Sequence, residues 1–431
     1  MIWFLYNILF AIGFLVLLPH FLRRMRRRGG YARRFGERVA RYEPDVARAL
    51  SEDSRIWIHA VSVGETYVAL RFMEAMRARR PETRWVLSVN TSTARAIAET
   101  RVSAPDVLIY FPVDFPFIMR RALNIIRPRA LILVECELWP NLVRLARGRG
   151  IPVVLVNGRI SDHSYRGYRR LRVFTRRLLP QVNLCGMQSE HDAERIQDLG
   201  GPAERVQVFG SAKYDLLPPE PAGAGEVAAV LGAAGIGPER PILLGGSTWP
   251  GEEAILLDLY VECRKKRSDL FLVLAPRHVE RTPEVLEEIA ARGLKVIRRS
   301  APPAPGSGAA DVFLLDTTGE LMKFYSCAAI IFVGKTLLER GGQNIIEPAW
   351  WGKPIVVGPH LENFPVVSVD FLEAGAMKQV ADAAGLRAAV GDWLADPAAR
   401  EAVGARAAKL VREKAGAVDR TLDAIGPVIG L

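Results

Sequence analysis

Cysteine is scarce in this chain. Its 431 residues hold four, Cys136, Cys185, Cys263 and Cys327, with no Cys-x-x-Cys pair. That spacing excludes a disulfide framework and a cysteine-based zinc site, and it suits a reducing compartment. An isolated cysteine in an apolar run, such as Cys185, reads as a core residue. Also missing are an Asp-x-Asp metal motif, a short-period repeat, and any RNA-recognition, zinc-finger or homeodomain pattern. Acidic residues are the minority charge, 47 against 58 Lys and Arg, for a net charge of +11. The excess favours an anionic partner, membrane lipid or phosphorylated substrate ahead of nucleic acid, and it equally suits an ordinary soluble surface. A composition 49% hydrophobic and 24% charged is that of a folded protein, and the length suits two domains of about 200 residues each.

Charge is absent altogether from residues 1–22, MIWFLYNILFAIGFLVLLPHFL. A helix of that length spans roughly 33 Å, enough for a bilayer core. Trp3 and Tyr6 suit a bilayer interface, and Arg23, Arg24, Arg26, Arg27 and Arg28 follow at once. Charges after the apolar run, with no A-x-A site, argue against a cleaved signal peptide. By the positive-inside rule the rest of the chain is cytoplasmic. The run is apolar all round, which favours spanning over lying within one leaflet, and the arginines would attract anionic headgroups.

Beyond the anchor, short apolar runs alternate with helical patterns. Strands are predicted at 55–62, 84–91, 107–113, 130–136, 153–157, 182–187 and 205–210, with amphipathic stretches such as 65–79, 93–101, 116–126 and 190–199 between them. Residues 216–240 read as a Pro/Gly-rich linker with a short helical insert. Alternation then resumes with strands at 241–246, 270–275, 294–298, 312–315, 329–333 and 354–357, and residues 386–424 are helical. Strands buried on both faces mean parallel sheets covered by helices. The expected fold class is α/β of the GT-B type, two doubly wound Rossmann-like domains facing a cleft, with an N-terminal anchor helix. The expected parts are 1–28, anchor and basic flank; 29–215, first domain; 216–240, linker; and 241–431, second domain, whose terminal helices can cross back. That layout serves transferases, epimerases and phosphorylases alike, so function must come from sites.

Six segments carry candidate chemistry. His59-Ala-Val-Ser-Val-Gly-Glu65 ends the first strand and opens a helix. Glu65 is placed to act as a general base on a hydroxyl, and Ser62-x-x-Glu65 also matches a capping box. His59 reads as a hydrogen-bonded core histidine. Glu135 and Glu137 of Glu-Cys-Glu-Leu-Trp-Pro-Asn141 would share one side of a strand, where unpaired buried charge is costly; a functional and an ion-paired structural reading stand level. Gly245-Gly-Ser-Thr-Trp-Pro-Gly-Glu-Glu253 precedes a helix, either receiving phosphate or capped by Ser247 or Thr248. Arg277 and His278 at a strand end suit an anionic ligand, or a solvated loop. Thr317-Thr-Gly-Glu320 would hold a nucleotide or cap a helix. In Gly334-Lys-Thr-Leu-Leu-Glu-Arg-Gly-Gly-Gln-Asn-Ile-Ile-Glu-Pro348 the glycines permit backbone approach to a phosphate, and Glu347 can accept from ribose hydroxyls. Trp350 and Trp351 read as packing residues.

Taken together, HAVSVGE, ELWPNL, GGSTxxGEE, APRH, TGELM and ERGGQNIIEP, preceded by Tyr31-x-x-Arg-Phe-Gly-Glu-Arg38, resemble the 3-deoxy-D-manno-octulosonate (Kdo) transferases of lipopolysaccharide assembly. The order matches from the anchor to about residue 360. The resemblance implies an inverting glycosyltransferase at the cytoplasmic face of the inner membrane. Its donor would be CMP-Kdo, bound by the second domain, and its acceptor a phosphorylated lipid A precursor, bound by the first. It implies Glu65 as general base and nucleotide contacts from Arg277, His278, Thr318, Gly319, Glu320, Asn344, Ile345, Ile346 and Glu347. No metal or cofactor is expected, CMP being a good leaving group already. Trp249, Lys335 and Gln343 stand where the family commonly has His, Gly and His. A sugar-nucleotide epimerase of the same fold, or a non-catalytic lipid- or nucleotide-binding protein, are the alternatives.

Overall fold

The computed structural model describes residues 2–28, 34–218, 220–302 and 310–431. It divides into two units, Met1–Leu216 with Gly416–Leu431, and Leu217–Ala415. Tyr31 and the side chains of Arg24, Arg26, Arg27 and Arg28 lie outside the described residues.

The first unit runs α1 (Ile2–Arg28), α2 (Pro44–Glu52), β1 (Ile56–Ala60), α3 (Val63–Arg79), β2 (Trp85–Val89), α4 (Ser92–Glu99), β3 (Val107–Tyr110), α5 (Pro116–Ile126), β4 (Ala130–Val134), α6 (Pro140–Arg147), β5 (Val153–Gly158), α7 (Asp162–Arg170), α8 (Arg172–Leu178), β6 (Leu184–Met187), α9 (Glu190–Asp198) and β7 (Val206–Val208). Its strands pair in parallel in the order β3-β2-β1-β4-β5-β6-β7. Continuous apolar runs such as Ala130–Val134 are buried at every position, because helices cover both faces. Trp57, Leu131 and Leu133 pack on one face, Ile56, Ile58 and Ile132 on the other. Side-chain caps at Ser62, Thr91, Ser161 and Ser189 start α3, α4, α7 and α9.

In the second unit come α10 (Ala224–Ala233), β8 (Ile242–Thr248), α11 (Glu252–Arg264), β9 (Phe271–Pro276), α12 (Thr282–Ala291), β10 (Val296–Arg298), β11 (Val312–Leu314), α13 (Leu321–Phe324), β12 (Ile330–Val333), α14 (Ile346–Trp350), β13 (Ile355–Val357), α15 (Pro365–Glu373), β14 (Lys378–Gln379), α16 (Ala383–Ala395) and α17 (Pro397–Lys414). Its sheet is parallel in the order β10-β11-β9-β8-β12-β13-β14. The helix within the Pro/Gly-rich stretch 216–240 is α10, which buries Val227 and Leu231 in this unit. Strand order reverses at β1/β4 in one sheet and at β8/β12 in the other. Loops leaving adjacent strands at such a point diverge and leave room for a ligand.

A last helix, α18 (Ala417–Ile425), belongs to the first unit, burying Val418, Leu422 and Ile425 beside α3. Asp215 fastens its start by accepting from Gly416 N (2.5 Å) and Val418 N (2.7 Å). Arg79 of α3 pairs with Asp419 and Asp423.

Residues Ile2–Arg23 of α1 form a helix long and apolar enough to cross a membrane, with mean hydropathy 2.2. Its early turns nonetheless rest on the first unit. Tyr6 donates to Asp114 (3.2 Å), and Asn141 donates to Asn7 (2.7 Å). Phe10 and Phe14 meet Phe115 edge-on at 5.1 and 5.4 Å. Trp3 and Tyr6, expected at a bilayer interface, therefore contact protein, Trp3 beneath the Arg144 guanidinium. The reason is Asp114, fully buried at the start of α5. It also accepts from Asn141 N and Leu142 N, and burial pushes its carboxyl up to about 7. A polar donor on the helix relieves that site, whereas a polar group facing lipid would be unpaired.

Removing the Asp215 carboxylate leaves two N–H groups of α18 without partners. Asp215→Ala is expected to lower stability by about 1–2 kcal/mol in denaturant unfolding.

Candidate active site

Loops leaving β1 and β4 build the first site. His59, the fourth residue of β1, is buried and stacks on Phe111 at 3.9 Å. Its Nε2 accepts from Trp139 Nε1 (3.2 Å), which leaves the ring proton on Nδ1, facing Ser88 O (3.1 Å) and Oγ (2.9 Å). Burial pushes its pKa down to about 3, so it stays neutral and orients Trp139.

Glu65 sits in the first turn of α3 and completes a capping box with Ser62. Its carboxylate accepts from Val61 N (2.8 Å) and Ser62 N (3.2 Å), while Ser62 Oγ accepts from Glu65 N (3.2 Å). Burial, then the charge of Glu135, raises its pKa. Glu137 is pushed up to about 8 by burial and by the charges of Glu65 and Glu135. Glu65, Glu135 and Glu137 thus lie within electrostatic reach of one another, and Glu137 keeps its proton near neutrality.

Glu135 and Glu137 are not on a strand, contrary to the sequence expectation. β4 ends at Val134, and Glu135 turns the chain in the left-handed region at φ 58°. Lys213 joins the cluster from the segment after β7. Burial lowers its pKa, and the charges of Glu135 and Glu65 oppose the fall. Sequence reading missed Lys213; its one signal was a place at a strand's carboxyl end. Among the described residues no group of three or more His, Cys, Asp or Glu could hold a metal ion.

The second site occupies the corresponding point of the other sheet. α11 starts after Gly251 at φ 88°, so neither Ser247 nor Thr248 caps it and the capping alternative falls away. Glu252 does the joining instead. Its Oε2 accepts from Trp249 N (2.9 Å) and Lys335 N (2.8 Å), and its Oε1 from Thr336 N (3.2 Å) and Leu337 N (3.1 Å). One buried carboxylate thereby holds together the loops leaving β8 and β12. Gly334 is obligatory there, since a Cβ would stand 2.3 Å from Ser247 O. Thr248 hydroxyl donates to Glu253, which pairs with Arg281. Lys335 takes φ 58° and sets its ammonium 4.1 Å from the centre of the Trp249 ring, whose edge meets His278 at 5.4 Å.

The remaining candidate residues fall into two groups. Asn344 donates to Glu347 (3.0 Å) and accepts from Ile346 N (3.0 Å), fixing the start of α14; Ile345 and Ile346 are buried. Burial raises the pKa of Glu347, against Asn344 and the positive charge of Arg277. Arg277, His278, Asn344 and Glu347 therefore belong to one neighbourhood with the Trp249 loop. Thr318, Gly319 and Glu320 make a separate turn: Glu320 pairs with Arg299 (2.8 Å) and accepts from Thr317, while Thr318 and Gly319 are exposed. Gly341 and Gly342, read as phosphate-approach glycines, meet the chain's own loop. Gly341 O accepts from Asn363 N, and a Cβ on Gly342 would lie 2.9 Å from His360 O.

Known proteins carry the same pattern. The family profile of the 3-deoxy-D-manno-octulosonic-acid transferases matches residues 33–216. A 3-deoxy-D-manno-octulosonic acid transferase of Bordetella pertussis is 35% identical over 95% of both chains. One of Haemophilus influenzae is 32% identical over 87% of both. In fold, the chain is similar to a UDP-GlcNAc 2-epimerase from Neisseria meningitidis (TM-score 0.54, 13% identity, 84% of this chain and 99% of that one).

Glu252→Gln would turn an N–H₂ donor against two backbone N–H donors. The expected result is a loss of roughly 2–3 kcal/mol, read by thermal unfolding, with faster hydrogen exchange at residues 335–337.

Proposed function

The chain belongs to the 3-deoxy-D-manno-octulosonic acid (Kdo) transferase family, and on that footing we propose that it moves Kdo from CMP-Kdo to a hydroxyl of a phosphorylated lipid A precursor. Family membership makes it a glycosyltransferase. The donor, the acceptor and the stereochemical course are our reading.

Glu65 is the general base. It takes the proton of the acceptor hydroxyl as that oxygen attacks the anomeric carbon, CMP departs, and a single displacement inverts the centre. One observation carries this assignment. Two backbone N–H groups occupy part of the Glu65 carboxylate, and burial with the charge of Glu135 raises its basicity. Four N–H groups occupy Glu252 at the matching position of the second sheet, leaving it no free lone pair for a substrate. Arg277, His278, Thr318, Gly319, Glu320, Asn344, Ile345, Ile346 and Glu347 hold the nucleotide, and Lys335 or Arg277 stabilises the departing phosphate. Glu347, its carboxyl shared with one amide donor, keeps acceptor capacity for ribose hydroxyls.

Membrane attachment is interfacial. With α1 held to the first unit through Phe14, residues 15–22 extend about 12 Å, against the roughly 30 Å of a hydrocarbon core. The outward face, with Leu15 and Val16 exposed, enters one leaflet of the inner membrane from the cytoplasmic side. Anionic headgroups of that leaflet suit the chain's net charge of +11.

Glu65→Gln keeps the size and most of the cap. Kdo transfer is expected to fall by about 100-fold or more with folding and CMP affinity retained; near-normal transfer would return the role to Glu135 or Glu137. A base whose pKa is raised is protonated below it, so activity should decline as pH falls through the raised pKa of Glu65, above the ordinary carboxylate range. Glu135→Gln removes the negative neighbour that raises Glu65 and should move that acid limb down by about 1 pH unit in a kcat/KM profile. Linkage gives the opposite trend for stability. Glu137, raised from 4.5 to about 8, favours the fold at low pH and loses that contribution as pH rises through about 8.

A further inference from the structure

Two apolar grooves adjoin α1 within the first unit. One, of about 390 Å³, lies beside its early turns and is lined by Tyr6, Phe10, Glu137, Trp139, Leu178 and Leu199. The other, of about 510 Å³, lies beside its later turns and is lined by Gly13, Leu17, Phe21, Asn90, Phe111 and Trp139. Both share Leu9, Phe10 and Trp139. Trp139 is therefore a common wall, held by His59, with Glu137 of the carboxylate cluster in the first groove. At the other end the grooves run along a helix whose outward residues Phe4, Leu15 and Val16 are 65–72% exposed, a surface suited to lipid.

Gly13 is a second, independent observation. Glycine is disfavoured inside a helix. Here no packing demands it, because a Cβ would meet nothing within 4 Å. It widens the second groove instead.

We propose that the two grooves receive acyl chains of the acceptor lipid, making α1 part of the substrate site as well as the membrane attachment. The inference rests on the transferase reading above. An acceptor whose hydroxyl faces Glu65 would place its chains past Trp139, and two grooves suit a molecule with more than one chain. Apolar walls recognise methylenes, each worth about fourfold in affinity when buried.

The test uses the full-length chain in mixed micelles and two acceptors with one phosphorylated sugar headgroup, one acylated and one with its chains removed. Gly13→Trp fills the second groove from an unobstructed position, and Gly13→Ala serves as the conservative control. The expected result is that the KM of the acylated acceptor, relative to that of the deacylated one, rises at least tenfold in Gly13→Trp and little in Gly13→Ala. An equal effect on both acceptors, or none, overturns the proposal. Independently, an acylated acceptor bearing a diazirine in its chain, photolysed with the unmodified chain, is expected to label Leu17, Phe21 or Phe111. Labelling no different from that of a diazirine phospholipid overturns the acceptor assignment in favour of bulk membrane lipid. Should neither acceptor receive Kdo, the transferase reading fails by itself, while the label map still decides what the grooves hold.

Discussion

Buried carboxylates at the carboxyl ends of parallel strands are the constraint on which the molecule turns. A sheet covered on both faces tolerates no charge within its strands, so polar chemistry is confined to the loops where the strands stop. A carboxylate there is viable if backbone N–H groups meet it, and the start of a helix offers several at once. Both units place a glutamate at that point, in the first turn of the helix that follows the first strand of each sheet. Their partners separate their roles. Glu252 is saturated by four N–H groups from two loops and is a fastening. Glu65 has two such partners, and burial together with the charge of Glu135 favours its taking up a proton.

The backbone conforms to the same constraint. Four non-glycine residues with left-handed φ, Glu135, Asn157, Ser247 and Lys335, stand at or just beyond the ends of β4, β5, β8 and β12. Each conformation costs on the order of 1 kcal/mol. At Glu135 the turn carries the carboxylate cluster. At Asn157 the side chain accepts from Ala212 N (2.9 Å), which ties β5 to the segment bearing Lys213. At Ser247 it brings the β8 loop so close to the β12 loop that only a glycine fits at 334.

What was legible in the sequence was what local chemistry decides. Runs such as Leu131–Val134 announce strands because burial on both faces leaves no room for polar residues, and Ser62-x-x-Glu65 announces its cap because the partners lie three residues apart. Legibility fails where a partner is remote. Glu135 and Glu137 follow an apolar run and read as a continuation of it, whereas the chain turns at Glu135 to satisfy the sheet. Capping by Ser247 or Thr248 is one of two readings open there, yet the helix begins beyond Gly251 because Glu252 must reach residues 335–337, more than 80 positions away. Tyr6 and Asn7 read as part of a membrane helix, and nothing near them points to Asp114 or Asn141. The two-residue strand β14, exposed at both positions, has no apolar run to announce it.

Trp249 and Lys335 are 86 positions apart in sequence and look independent there. In the fold they are one contact, the ammonium lying 4.1 Å from the centre of the indole ring. Glu252 explains why they meet, because its Oε2 accepts from the backbone N–H of both residues. A lysine at a position held at φ 58° carries a strain that glycine would not. Stacking on Trp249 offsets part of that strain, since a cation over an indole gains about 0.5–1 kcal/mol or more. The contact also limits where the ammonium can go, keeping a positive charge beside His278 and the loops that leave β8 and β12. Losing either side chain alone would remove half of this arrangement. The two residues are therefore coupled physically, through a carboxylate that accepts from the backbone of both.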